Sequence, residues 1–210
     1  FTLRLGRDQR KIQLRTPGEH NVSNAMAAAA VAWTLGASAE QVAQGLETYR
    51  PAPMRMEILD LPGGLHIVND AYNANPDSMK AAIGTFVRLS NGGKNAVVLG
   101  DMLELGKRSA STHRSIGALI ARLAGSQRGH INHLLVLGSR ARLMAEEALK
   151  RGMSQRRITV CENHTDAADW LNQNMNSGDW VLLKGSRAMG LERVLERVTG
   201  KGCGLVGNNN

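Results

Sequence analysis

The chain has 210 residues, 42% of them hydrophobic and 21% charged, with 26 Lys and Arg against 18 Asp and Glu for a formal charge of +8. That balance supports a buried core and excludes a wholly disordered chain, and no apolar run approaches the roughly 18 residues of a membrane helix. Cys161 and Cys203 are too few for a disulfide framework and fit a reducing, cytoplasmic setting; without a CxxC or Cys/His cluster, no structural zinc is expected.

The chain opens at Phe1 inside what reads as a strand, so it is expected to be part of something longer. Residues 1–16 alternate, with Phe1, Leu3 and Leu5 on one face, a polar Gly6-Arg7-Asp8-Gln9 segment, and then Ile12 and Leu14, which predicts a hairpin. Pro17-Gly18 breaks it. A helix is expected from about 22 to 35, capped at His20 or Asn21 and stopped by Gly36. Ser38 caps a second helix, with Glu40 and Gln41 in its first turn, running to about Thr48. Arg50-Pro51-Ala52-Pro53 enforces extended backbone and reads as a linker. A domain boundary therefore divides 1–50 from 51–200, and the Gly/Asn-rich residues 201–210 are expected to be a disordered tail.

Beyond the linker the pattern becomes strand then helix. Residues 56–59 and 65–69 predict a hairpin through Pro62-Gly63-Gly64, followed by a helix over 78–89. Short apolar strands at 96–99, 134–137, 158–161 and 180–183 then alternate with helices at 112–123, 141–151, 166–174 and 191–198. This is an α/β pattern, a mainly parallel sheet with helices on both faces. Three strands end in glycine and a polar residue: Leu99-Gly100-Asp101, Leu137-Gly138-Ser139 and Lys184-Gly185-Ser186. Ligands of such sheets bind beyond the carboxyl ends of the strands, so these edges form one candidate surface.

The charge excess permits nucleic acid or a phosphorylated small molecule as partner. The positive residues are dispersed, however, with only pairs such as Lys107-Arg108, Lys150-Arg151 and Arg156-Arg157, and aromatics are 3%, poor material for base stacking. Most of the charge reads as solvated helix faces. No GxxxxGK[ST] phosphate loop, GxSxG, HExxH or EF-hand segment occurs.

Two polar stretches stand out. Asn69 to Ser78 follows a strand and precedes a helix with three Asn, two Asp and a Tyr. A turn with a cap at Asp77 or Ser78 accounts for Pro76 onward, but leaves Asp70, Tyr72 and Asn73 without a structural reason. Asn21 and Asn24, three apart at a helix start, share a face. Asn21 reads equally as an N-cap, yet two amides on one face also suit a planar heterocycle such as adenine. With Arg55 after the linker and Asp70 at a strand end, this reads as a nucleotide between two units: amides on the base, arginine on phosphate, carboxylate on ribose.

The segments GEHNVSNAMAAAAVAWTLG, PAPMRMEI, IVNDAYNANPDSMKAAI, VLGDMLELGKRS with His113 and Ile116-Gly117, and WVLLKGSRAMGLERV resemble successive segments of the Mur ligases over residues 15–198. The DAYNANPDSM and LGDMLELG forms look most like the family member that adds D-alanyl-D-alanine. The resemblance implies a three-domain enzyme, of which residues 1–50 end the central ATPase domain and residues 51–200 form a Rossmann-like C-terminal domain. The UDP-binding domain, phosphate loop and carbamylated lysine would lie upstream, so this chain alone is expected to be inactive.

The implied reaction joins D-alanyl-D-alanine to a UDP-N-acetylmuramoyl-tripeptide in peptidoglycan precursor synthesis. ATP phosphorylates the peptide carboxylate, the amine attacks the acyl phosphate, phosphate leaves and an amide remains. The acyl phosphate turns a poor leaving group into a good one, and Mg²⁺, held mainly by residues outside this sequence, neutralises charge on the transferring phosphoryl.

By matching position, the resemblance puts Asn21 and Asn24 by adenine, Arg55 by the phosphates and Asp70 by ribose, with Tyr72 and Asn73 lining the nucleotide or acceptor pocket. Asn75, Lys184, Ser186 and Arg187 are candidates for the dipeptide, Lys184 or Arg187 for its carboxylate. The alternative for those two cations is solvated charge at a helix start. Asp101 and Glu104 are expected as loop acids, and His113 as a cap or an interhelix hydrogen-bonding group. Met54 departs from the family, which often has glycine before the arginine, so backbone freedom there is expected to differ. No nucleic-acid partner is expected, and a monomer is. A sister Mur or folylpolyglutamate-type ligase with another amine remains an alternative, and a basic nucleic-acid-binding module a distant one.

Overall fold

The computed structural model describes residues 1–90, 92–126 and 131–199, so the expected tail at 201–210 lies outside the described residues. The alternating first residues pair as an antiparallel hairpin of β1 (Thr2–Leu5) and β2 (Asp8–Lys11). Helix α1 (Glu19–Thr34) starts earlier than the pattern predicts, with Gly18 as N-cap in place of His20 or Asn21. Gly18 takes φ 110°, which turns the chain into the helix directly after Pro17. Asn21 then lies inside the first turn, where its Nδ2 donates to the Pro17 carbonyl at 2.6 Å and to Thr16 Oγ1 at 3.2 Å.

Helix α2 (Ala39–Thr48) begins at the expected Ser38, whose hydroxyl accepts from Gln41 N at 3.2 Å while the Gln41 side chain accepts from Ser38 N at 2.8 Å. Leu3, Ile12, Ala29, Val42 and Ala43 give the hairpin and these two helices a small core of their own.

After Pro51-Ala52-Pro53 the chain builds β3 (Glu57–Asp60), β4 (His66–Asn69), α3 (Pro76–Leu89), β5 (Asn95–Gly100) and α4 (Ser109–Ala124). It continues through β6 (His133–Leu137), α5 (Arg142–Lys150), β7 (Ile158–Cys161), α6 (His164–Asn174), β8 (Trp180–Lys184) and α7 (Glu192–Thr199). The sheet order is β3-β4-β8-β5-β6-β7; β3 pairs antiparallel with β4 and every other pairing is parallel. The α/β class, with helices on both faces, is the one expected. Helix α3 is capped by Asn75, not by Asp77 or Ser78: Asn75 Oδ1 accepts from Ser78 N at 2.8 Å and Ser78 Oγ from Asn75 N at 3.1 Å. Pro76, with its φ preset for a helix, fixes that start.

Alternation along the strands divides the core. Val97 and Leu99 of β5 pack with Phe86 of α3, Ile116 of α4 and Met144 of α5, whereas Ala96 and Val98 pack with Ala168 and Leu171 of α6 and Val194 of α7. Both faces are sealed, which explains why these strands read as unbroken apolar runs. Phe86 is fully buried, and its truncation to alanine would cost roughly 3–5 kcal/mol. Gly117 lets α4 approach α5, because a Cβ there would strike the Met144 carbonyl. No helix among the described residues is long and apolar enough to cross a membrane.

The reversal of β3 positions the site. With Glu57 opposite Asn69, the start of β3 lies at the carboxyl edge of the parallel strands. The segment that crosses from α2 therefore arrives beside Asp70.

Candidate functional site

A polar cavity of about 360 Å³ opens where the hairpin and α1–α2 unit meets the sheet unit. Asn21 and Asn24 of α1 line one side, and Arg55, Asp70, Tyr72 and Lys184 line the other. An apolar recess of about 480 Å³ adjoins it between α1 and α2, lined by Ala25, Ala28, Val42 and Leu46 and sharing both asparagines. Asn24 is exposed there at the border of the two. Asn21 has its amide hydrogens committed to Thr16 and Pro17, so its oxygen is the part left to face a ligand.

The strap from Tyr49 to Met56 holds unusual backbone. Met54 and Met56 take φ 61° and 50°, the left-handed region, at about 1–2 kcal/mol each for a non-glycine residue. Neighbouring groups hold them there. Glu57 Oε2 accepts from Met54 N at 3.0 Å, Asp70 Oδ1 accepts from Met56 N at 3.0 Å, and Tyr72 N donates to the Met54 carbonyl at 3.1 Å. Met54 thus adopts a conformation glycine would take more readily. Arg55, between the two, is exposed and lays its guanidinium 4.1 Å from the Tyr72 ring centroid. Glu57 escaped the sequence reading; the hairpin register of the structure puts it opposite Asn69. Its carboxylate also takes the Asn69 amide at 3.2 Å.

Lys184 overturns the solvated-charge reading. The residue is 1% exposed, and its Nζ lies 2.6 Å from Asp70 Oδ2 and donates to the Asn73 carbonyl at 3.1 Å. Its burial follows from the sheet order, since β8 is central, between β4 and β5. Arg187 does fit that reading: it is exposed and pairs with Glu192 at 2.5 Å.

The structure thus gathers Asn21, Asn24, Arg55, Asp70, Tyr72, Asn73, Asn75 and Lys184 around one cavity, which Ser186 and Arg187 do not line. Ser186 is buried and accepts from Leu103 N at 2.9 Å, and Asn75 spends its side-chain oxygen on the α3 cap.

The three glycine-ended strands interlock. Asp101 Oδ1 accepts from Arg140 N at 3.0 Å and Ala141 N at 2.6 Å, and its carbonyl takes Ser186 N at 2.9 Å. A Cβ at Gly138, φ 118°, would collide with that carboxylate. Asp101 is therefore a structural acid, whereas Glu104 is exposed at φ 63°. His113 is fully buried and is neither a cap nor an interhelix bridge. Its Nε2 accepts from Met102 N at 3.0 Å and its Nδ1 donates to the Ser109 carbonyl at 2.7 Å, tying the loop after β5 to α4. Among the described residues there is no group of three or more His, Cys, Asp or Glu that could hold a metal ion.

Residues 54–187 match the family described as Mur ligase, glutamate ligase domain. The UDP-N-acetylmuramoyl-tripeptide--D-alanyl-D-alanine ligase of Bacillus subtilis (strain 168) is 38% identical over 179 residues, 85% of this chain and 38% of that protein. A crystal structure of MurF from Acinetobacter baumannii superposes with a TM-score of 0.80 at 29% identity, over 95% of this chain and 42% of that one. The MurF ligase from Thermotoga maritima in complex with ADP gives 0.71 at 27% identity, over 92% of this chain and 41% of that one. The chain spans about two fifths of the length of these relatives. Arg55, the Asp70 loop, Lys184 and the interlocked strand ends all fall within the matched residues, and the chain belongs to the Mur ligase family.

Proposed function

We propose that this chain is part of the ligase that uses ATP to join D-alanyl-D-alanine to a UDP-N-acetylmuramoyl-tripeptide in peptidoglycan precursor synthesis, and that the cavity is its share of the nucleotide site. The observation that carries this is the convergence of Asn24, Arg55 and Asp70, from three separate elements, on one polar cavity. The name of the Bacillus subtilis relative and the ADP bound by the Thermotoga maritima ligase support it. So does the separate core of residues in the hairpin, α1 and α2, which fits a boundary near Arg50.

In this reading the Asn24 amide and the Asn21 oxygen face adenine beside the apolar recess. Arg55, its plane set by Tyr72, meets the phosphates; Asp70 takes the ribose hydroxyls, and Asn73 lines the cavity. ATP supplies the phosphoryl group that activates the peptide carboxylate for attack by the dipeptide amine. This chain's residues bind and orient the nucleotide. With no GxxxxGK[ST] segment in the chain, the phosphate loop comes from outside this sequence. Asn75, through its amide nitrogen, is the cavity group left for the dipeptide, since Lys184, Ser186 and Arg187 are engaged by the protein itself.

The test is ATP-dependent ligation by the complete enzyme that carries this chain. Arg55→Ala and Asp70→Ala should each lower kcat/KM for ATP by about tenfold or more. Undiminished ligation in both variants would overturn the site assignment. Faster turnover with a different amine than with D-alanyl-D-alanine would point to a sister ligase.

A further inference from the structure

Lys184 carries a buried positive charge that the proposed reaction does not use. We propose that Lys184 is a positioning residue of the nucleotide site, one that fixes the Asp70 carboxylate and the Asn73 carbonyl and does not hold the carboxylate of the incoming dipeptide. The proposal rests on reading the cavity as a nucleotide site.

The geometry begins with the sheet. Asp70 N donates to the Leu183 carbonyl at 2.9 Å, extending the parallel β4–β8 ladder and setting Asp70 beside Lys184. The ammonium then meets Asp70 Oδ2 at 2.6 Å, with side-chain exposures of 2% for Lys184 and 14% for Asp70. The other oxygen, Oδ1, takes Met56 N at 3.0 Å. The carboxylate is thus clamped between a strand and the strap that carries Arg55.

An ammonium offers three donors; here one goes to Asp70 and another to the Asn73 carbonyl at 3.1 Å. Its charge is already balanced by Asp70, so an incoming carboxylate gains little from it. Loss of Lys184 would leave the part-buried Asp70 without its counter-ion and able to rotate. Met56 N would lose a fixed acceptor, and the strained strap would loosen. One side chain therefore sets Asp70, Arg55 and the Asn73 loop together.

The test compares Lys184→Met, Lys184→Arg, Asp70→Asn and the Asp70→Asn/Lys184→Met pair in the complete ligase. Lys184→Met should raise KM for ATP by about tenfold and leave KM for D-alanyl-D-alanine within about twofold. Lys184→Arg should recover part of the loss. On the Asp70→Asn background, Lys184→Met should add less than about twofold, because it acts through Asp70.

Hydrogen exchange on the 210-residue chain gives a readout that needs no substrate. In Lys184→Met the amides of Met56 and Tyr72 should exchange about tenfold faster, while Val97 and Val98 in β5 keep their rates. A raised KM for the dipeptide with KM for ATP unchanged, full additivity with Asp70→Asn, or unaltered exchange at Met56 and Tyr72 would each overturn the proposal. If Lys184→Met does not fold, Lys184→Arg takes its place in the exchange measurement, with a smaller acceleration at the same two amides expected. Failure of the unaltered ligase to use D-alanyl-D-alanine would count against the proposed function instead, and the exchange result would still decide the part played by Lys184.

Discussion

The Arg55 guanidinium lies over the Tyr72 ring with 4.1 Å to the centroid, and the Tyr72 amide holds the Met54 carbonyl one residue before it. The ring face orients the cation, and the Tyr72 backbone anchors the strap from which it projects. With Tyr72 42% exposed, the cation–π contact is worth about 0.5–1 kcal/mol. Tyr72→Phe should keep ADP affinity, and Tyr72→Leu should weaken it by roughly two- to fivefold, as read by calorimetric titration. Equal affinities in the two variants would show that the ring plays no part.

Met54 pays for its left-handed backbone, so substitutions there should sort by conformational preference. Met54→Gly relieves about 1–2 kcal/mol of backbone strain and loses about 0.5–1 kcal/mol to unfolded-chain freedom, leaving stability equal or slightly raised. Met54→Val, β-branched, should be less stable than the native protein by about 1–2 kcal/mol. Urea unfolding midpoints check the order Gly, Met, Val.

Asp101 should matter for folding more than its loop position suggests. Asp101→Ala strands the Arg140 amide and the buried Ala141 amide at the start of α5 and should cost about 2–4 kcal/mol. Asp101→Asn keeps an oxygen for them and should cost about half of that. Denaturant titration of both variants separates the two.

His133 predicts a pH dependence. Burial, with the nearby Arg157 charge, pushes its pKa from 6.5 down to about 4. Between those values the unfolded chain takes up a proton that the folded chain refuses. The neutral ring's contribution is therefore complete above pH 6.5 and is lost as pH falls to about 4. For this partly buried group the loss is on the order of 2 kcal/mol. His133→Phe keeps an aromatic ring against Trp170, which stands 4.0 Å away in the native protein, and should flatten that part of the stability curve. Parallel curves for the two proteins would refute the assignment.

Cys161 should resist alkylation. Burial, reinforced by the Asp166 and Glu162 carboxylates, pushes its thiol up to about 11, so little thiolate exists at neutral pH. Mass spectrometry after iodoacetamide treatment of the folded chain should show Cys161 unmodified, with labelling appearing in denaturant.

The strand–helix alternation was legible because both sheet faces are buried, which makes each strand a continuous apolar run and each helix amphipathic. The polar residues of the cavity were legible too, as a density of Asn, Asp and Tyr that turns do not require. The Ser38 cap was legible as well, but the caps of α1 and α3 were not. Gly18, Asn21, Asn75, Asp77 and Ser78 are all competent caps, and the choice was made by the positive φ of Gly18 and by Pro76 in the first turn. Nor was Lys184: its neighbours Gly185 and Ser186 suggest an exposed loop, and only the placement of β8 between β4 and β5 buries it. Glu57 was hidden for a similar reason, since its role depends on strap backbone that local sequence does not specify.

The cavity has walls from two separately cored units, and besides the strap they touch through contacts such as Glu19 of α1 and Arg88 of α3, 3.8 Å apart. An occupant gripping both walls senses the angle between them, and by reciprocity any influence that favours the gripping angle tightens its hold by the same factor. Altering Glu19 or Arg88, neither of which lines the cavity, is therefore a way to tune ligand residence from a distance.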